Sequence, residues 1–64
     1  MNFYNILDKV IIGFLVIDKY NLNKDKDVIK SITIMIKNLY DYADKNSEFQ
    51  MNVIKFYKDK LDTM

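Results

Sequence analysis

The stretch KVIIGFLVID, residues 9–18, decides the fold of this 64-residue chain. From Val10 to Ile17 it runs for eight residues without a polar or charged side chain. Three readings compete for it: a strand, a membrane segment, or a helix with more than one apolar face.

Its β-branched and aromatic residues suit a strand. A strand followed by two helices would give the order of a ribbon-helix-helix DNA-binding dimer. Such a strand must offer polar side chains to bases, and Val10–Ile17 has none. A bilayer span needs about 20 apolar residues, and this run is interrupted by Asp8 and Lys9 on its N-terminal side. No small-residue cleavage site follows it, so a secretory signal is not expected and the expected location is the cytoplasm.

The helical register accounts for more residues. At about 100° per residue, Phe3, Ile6, Leu7, Val10, Ile11, Phe14, Leu15 and Ile17 share one broad face. Asn5, Asp8, Lys9 and Lys19 take the other. Within that polar face Ile12, Val16 and Tyr20, spaced i, i+4, i+8, form a second apolar stripe. Packing in a three-helix fold explains the first face and leaves the second over. Gly13 lies beside the second stripe, where a missing side chain admits another backbone.

Outward from this run, two polar punctuations divide the chain: NLNKDKD (21–27) and DKNSE (44–48). The middle segment places Val28, Ile29, Ile32, Met35, Ile36, Leu39, Tyr40 and Ala43 at helical spacing. Lys30, Lys37, Asp41 and Asp44 lie opposite, Asp27 is the expected cap, and Ile34 alone falls on the polar face. The third segment opens with SEFQ (47–50), a Ser-x-x-Gln capping box. Val53, Ile54, Tyr57, Leu61 and Met64 form its stripe, with Phe49 and Phe56 on the flank. The expected architecture is one all-α domain over residues 1–64, with helices near 3–22, 27–45 and 48–62. A helical hairpin would carry the third helix.

A chain of this length buries only roughly 60% of its unfolded surface. At about 25 cal/mol/Å² the apolar part supplies roughly 100 kcal/mol. Ordering the chain at about 1.5 kcal/mol per residue costs nearly the same. Cys and His are absent, which removes disulfides and a structural zinc site as staples. Self-association remains, so a homodimeric helical bundle joined through the first helix is expected.

Catalytic side chains are scarce. The chain has one Glu, and Ser only at positions 31 and 47. No nucleophile, base and orienting group can be combined from this set. Asp41/Asp44 and Asp59/Asp62, each at i, i+3, read as solvated charge. Asn21, Asn23, Asp25 and Asp27 alternate like the start of a calcium loop, but Lys26 and Ile32 stand where Gly and Glu are needed. No metal and no cofactor is expected. The net charge is +1, and each lysine group carries nearby acid. Lys24, Lys26 and Lys30, or Lys55, Lys58 and Lys60, are the candidate phosphate contacts, too few for strong nucleic-acid binding.

The expected function is therefore non-catalytic protein–protein interaction. Ile12, Gly13, Val16, Tyr20, Ile34, Tyr42, Phe49 and Phe56 are the candidate interface residues, being left over from a single core. The abundance of Ile, Asn, Lys, Tyr and Phe with no Arg reflects AT-rich codons. A small inhibitor or adaptor from a phage, plasmid or low-GC bacterium fits these features. It would cover a surface on an unidentified larger protein. The alternatives are a small dimeric nucleic-acid-binding regulator and an amphipathic protein lying on a membrane surface.

Overall fold

A computed structural model describes residues 2–64, which form three helices and no strand. They are α1 (Phe3–Tyr20), α2 (Lys26–Asp41) and α3 (Glu48–Asp62). Val10–Ile17 is helical throughout, which removes the strand reading and with it the ribbon-helix-helix order. No described helix is long and apolar enough to cross a membrane.

Local hydrogen bonds set the helix ends, and several differ from expectation. Asn2 caps α1, its side-chain oxygen accepting from Asn5 N–H at 3.0 Å. At the other end Asn21 takes a left-handed conformation, φ 55°. Asn tolerates that region better than other side chains. Leu22 N–H can then return to Ile17 O at 3.0 Å, and α1 ends at Tyr20 rather than residue 22.

Asp25, not Asp27, caps α2: its Oδ1 accepts from Asp27 N–H at 3.0 Å and Val28 N–H at 3.2 Å. Asp27 sits in the first turn, where its charge still suits the helix dipole. α2 stops at Asp41, short of residue 45. The Lys45 ammonium folds back and donates to the carbonyls of Tyr40, Asp41 and Ala43, satisfying the free end.

The capping box of α3 is half formed. Ser47 Oγ accepts from Gln50 N–H at 3.2 Å. Gln50 Oε1 does not return to Ser47 but accepts from Asp44 N–H at 2.7 Å, tying the loop to the helix. Ser47 N–H is taken by Asp44 O at 2.9 Å.

The core is a row of Phe3, Ile6, Val10, Phe14 and Ile17 on α1, with Ile32, Ile36 and Leu39 on α2 and Ile54 alone on α3. α2 packs against both other helices, while α1 and α3 keep their Cα atoms more than 8 Å apart. Gly13 leaves room for the end of Ile32 where α1 meets α2: a Cβ there would stand 2.8 Å from Ile32 Cδ1. α1 and α3 meet through long side chains instead. Phe14 and Tyr57 stack with ring centroids 5.5 Å apart. Lys60 Nζ reaches over Phe14 to within 3.9 Å of Asp18.

This arrangement buries less than the apolar pattern offered. Leu15 and Tyr40, both assigned to core faces from their spacing, are exposed. Val53, Tyr57, Leu61 and Met64 are only partly buried. The total accessible surface is 4739 Å², about 400 Å² more than a compact chain of this mass exposes.

Candidate functional site

Packing leaves ten large apolar side chains exposed among the described residues, and five of them, Ile12, Leu15, Val16, Phe49 and Phe56, lie on α1 and on the neighbouring edge of α3. On the outer face of α1, Ile12 is 59% exposed, Leu15 62% and Val16 41%. The α1 helix turns its core row away from them, so neither α2 nor α3 stands in front. Beside this face, the stand-off between α1 and α3 leaves an apolar groove of about 320 Å³, lined by Leu7, Ile11, Phe49, Val53, Phe56 and Tyr57. Phe49 and Phe56 are each 62% exposed on its rim. Phe56 is held edge-on to Tyr57, with centroids 5.0 Å apart.

Ile11 joins the two regions. It lines the groove, and it is four residues from Leu15 on the same side of α1. Ile11 and Leu15, one helical turn apart, are thus where the outer face of α1 meets the groove.

The eight interface candidates separate in the structure. Ile12 and Val16 lie on the outer face, and Phe49 and Phe56 border the groove. Tyr20 is exposed at the end of α1, turned to one side of the Ile12–Leu15 strip. Ile34 is exposed on α2 opposite its buried row, and Tyr42 is exposed where α2 ends, so neither lines the groove. Beside Gly13 stands the side chain of Ile32 from the same chain, its Cδ1 2.8 Å from where a Cβ would lie. Leu7, Ile11 and Leu15 belong to the surface and were missed. Their spacing from Ile12 and Val16 was visible, but their apolar character assigned them to the core.

The lysines do not form one patch. Lys24, Lys26 and Lys30 surround the start of α2 together with Asp25 and Asp27. Lys55 and Lys58 stand with Lys37 on the rim of a cleft of about 700 Å³ between α2 and α3. Lys60 turns the other way, toward Asp18 and the Phe14 ring. Asp41, Asp44, Asp59 and Asp62 are exposed. Among the described residues no polar or charged side chain is buried, and no three acidic side chains converge as metal ligands.

Comparison of the chain with family models, curated proteins and solved structures gives no match.

Proposed function

We propose that this protein is a non-catalytic protein–protein interaction module. Its two working surfaces are the α1/α3 groove, which takes the partner protein, and the outer face of α1, which takes a second copy. It acts sterically, as a small adaptor or inhibitor that covers a surface on a larger protein. The groove receives an apolar helix of that protein, with Phe49 and Phe56 as its aromatic edges. Self-association through α1 belongs to the same reading. The richness in Ile, Asn, Lys, Tyr and Phe with no Arg, residues favoured by AT-rich codons, supports a phage, plasmid or low-GC bacterium as the setting.

One observation carries this reading: the exposed Leu15 lies one helical turn from Ile11, which lines the α1/α3 groove. Isolated exposed apolar side chains are ordinary on small proteins. Here Ile12, Leu15 and Val16 adjoin a groove edged by two exposed phenylalanines. Tyrosine and phenylalanine give large contact area at small entropic expense, which suits binding surfaces.

The test is capture from a lysate of a low-GC host by the tagged chain and by Phe56→Asp. A protein retained by the wild type and lost with Phe56→Asp is the expected result. Capture of nucleic acid alone, released steeply by salt, overturns the proposal in favour of a nucleic-acid regulator.

A further inference from the structure

The outer strip of α1 reads Asp8, Ile12, Leu15, Lys19, at spacings of four, three and four. All of these side chains are exposed. The spacing is the same in both directions, and the charges at its ends are opposite. Reversing the helix about the point midway between Gly13 and Phe14 exchanges Asp8 with Lys19 and Ile12 with Leu15.

We propose that this strip docks on the same strip of a second copy, running antiparallel. Ile12 then packs on the partner's Leu15, and Asp8 pairs with the partner's Lys19. The two-fold axis repeats both contacts. The proposal rests on the reading of α1 as a self-association surface and specifies its direction and register.

Three features support it. Alternating steps of three and four keep a seam facing an antiparallel neighbour. Neither Asp8 nor Lys19 is in an ion pair among the described residues, where Lys60 pairs with Asp18; the Lys19 ammonium stands 5.5 Å from the Tyr20 ring centroid, an exposed contact it can leave. Charge selects the direction: a parallel pair would set Asp8 against the partner's Asp8 and Lys19 against the partner's Lys19. The strip is short. An 18-residue helix is about 27 Å long, and one helix face falls below the roughly 800 Å² per partner of a standard interface. The dimer is accordingly reversible and concentration-dependent. Ile11 flanks the seam on the side of α3. A two-fold axis perpendicular to both helices keeps like flanks together, so the grooves of the two copies open on the same side of the dimer.

Charge reversal tests the register. Sedimentation equilibrium is run on the full chain over a hundredfold concentration range, with circular dichroism to verify helicity. The wild type is expected to dimerise. Asp8→Lys and Lys19→Asp should each weaken the dimer roughly tenfold, since two opposite pairs become like pairs. Mixing the two variants, or combining both changes in one chain, should restore it, because acid again faces base at both ends. Rescue on mixing also excludes misfolding as the cause of the loss. The proposal is overturned if the single reversals dimerise like the wild type, or if neither the mixture nor the double variant recovers. A wild type that stays monomeric overturns it as well, while the Phe56→Asp capture experiment reads the groove independently.

Discussion

Gly13 and Ile32 share one volume: a Cβ on Gly13 would lie 2.8 Å from Ile32 Cδ1. The atom met is the free end of a side chain and not backbone, so a methyl on Gly13 asks Ile32 Cδ1 to shift. Gly13→Ala gains about 1 kcal/mol in helix propensity and forces the terminal methyl of a buried isoleucine to move. The two effects oppose, so the single variant should change stability by no more than about 1 kcal/mol. Ile32→Val removes Cδ1 and alone should cost about 1 kcal/mol. In the Gly13→Ala background that loss should shrink. Urea denaturation of the four proteins in the cycle measures the coupling; strict additivity would mean the two side chains do not compete.

Leu39 and Leu15 make a contrasting pair. Leu39 is 0% exposed between the helices, whereas Leu15 is 62% exposed on α1. Leu39→Ala should lose about 2–5 kcal/mol, enough to unfold a chain this small in part at room temperature. Leu15→Ala should leave the monomer within about 0.5 kcal/mol of wild type. Equal losses in thermal or urea unfolding would contradict the assigned burial.

Asp25 holds the two amide donors at the start of α2. Asp25→Ala should therefore cost about 1 kcal/mol. Asp27→Ala loses only a favourable dipole contact, at about 0.3–1 kcal/mol when exposed. Midpoints of urea unfolding rank the two, and a larger loss at Asp27 would return the cap to that residue.

Ile12→Asp and Val16→Asp place charge on the outer face of α1 without touching the core row. Each should abolish self-association measured by sedimentation while the chain remains helical by circular dichroism. Dimers that persist unchanged in both variants would remove that face from the assembly.

Much of the fold was legible from periodicity. Every buried residue, from Phe3 to Ile54, falls on an apolar face that spacing alone marks out. The three helices follow, because each segment repeats its apolar residues at helical spacing between polar breaks. The exposed stripe of Ile12, Val16 and Tyr20 was legible for the same reason: it lies outside the face that one core can use. The caps were less legible, since Asp25 and Asp27 are chemically equal and only the path of the backbone chooses between them.

The sequence by itself determined which residues are apolar at helical spacing, and therefore the helices and their inward rows. It also determined that catalytic groups are scarce and that the α1 strip is antisymmetric in charge. Only the tertiary structure decided how wide a part of each apolar face is covered. Gly13 leaves room for the end of Ile32 where α1 meets α2, while α1 and α3 stand further apart with Phe14 and Tyr57 stacked between them. Burial depends on that spacing between helices, which no single segment encodes. The stand-off opens the groove beside Ile11 and Phe56, while Leu15 is exposed because it lies on the face of α1 away from the buried row.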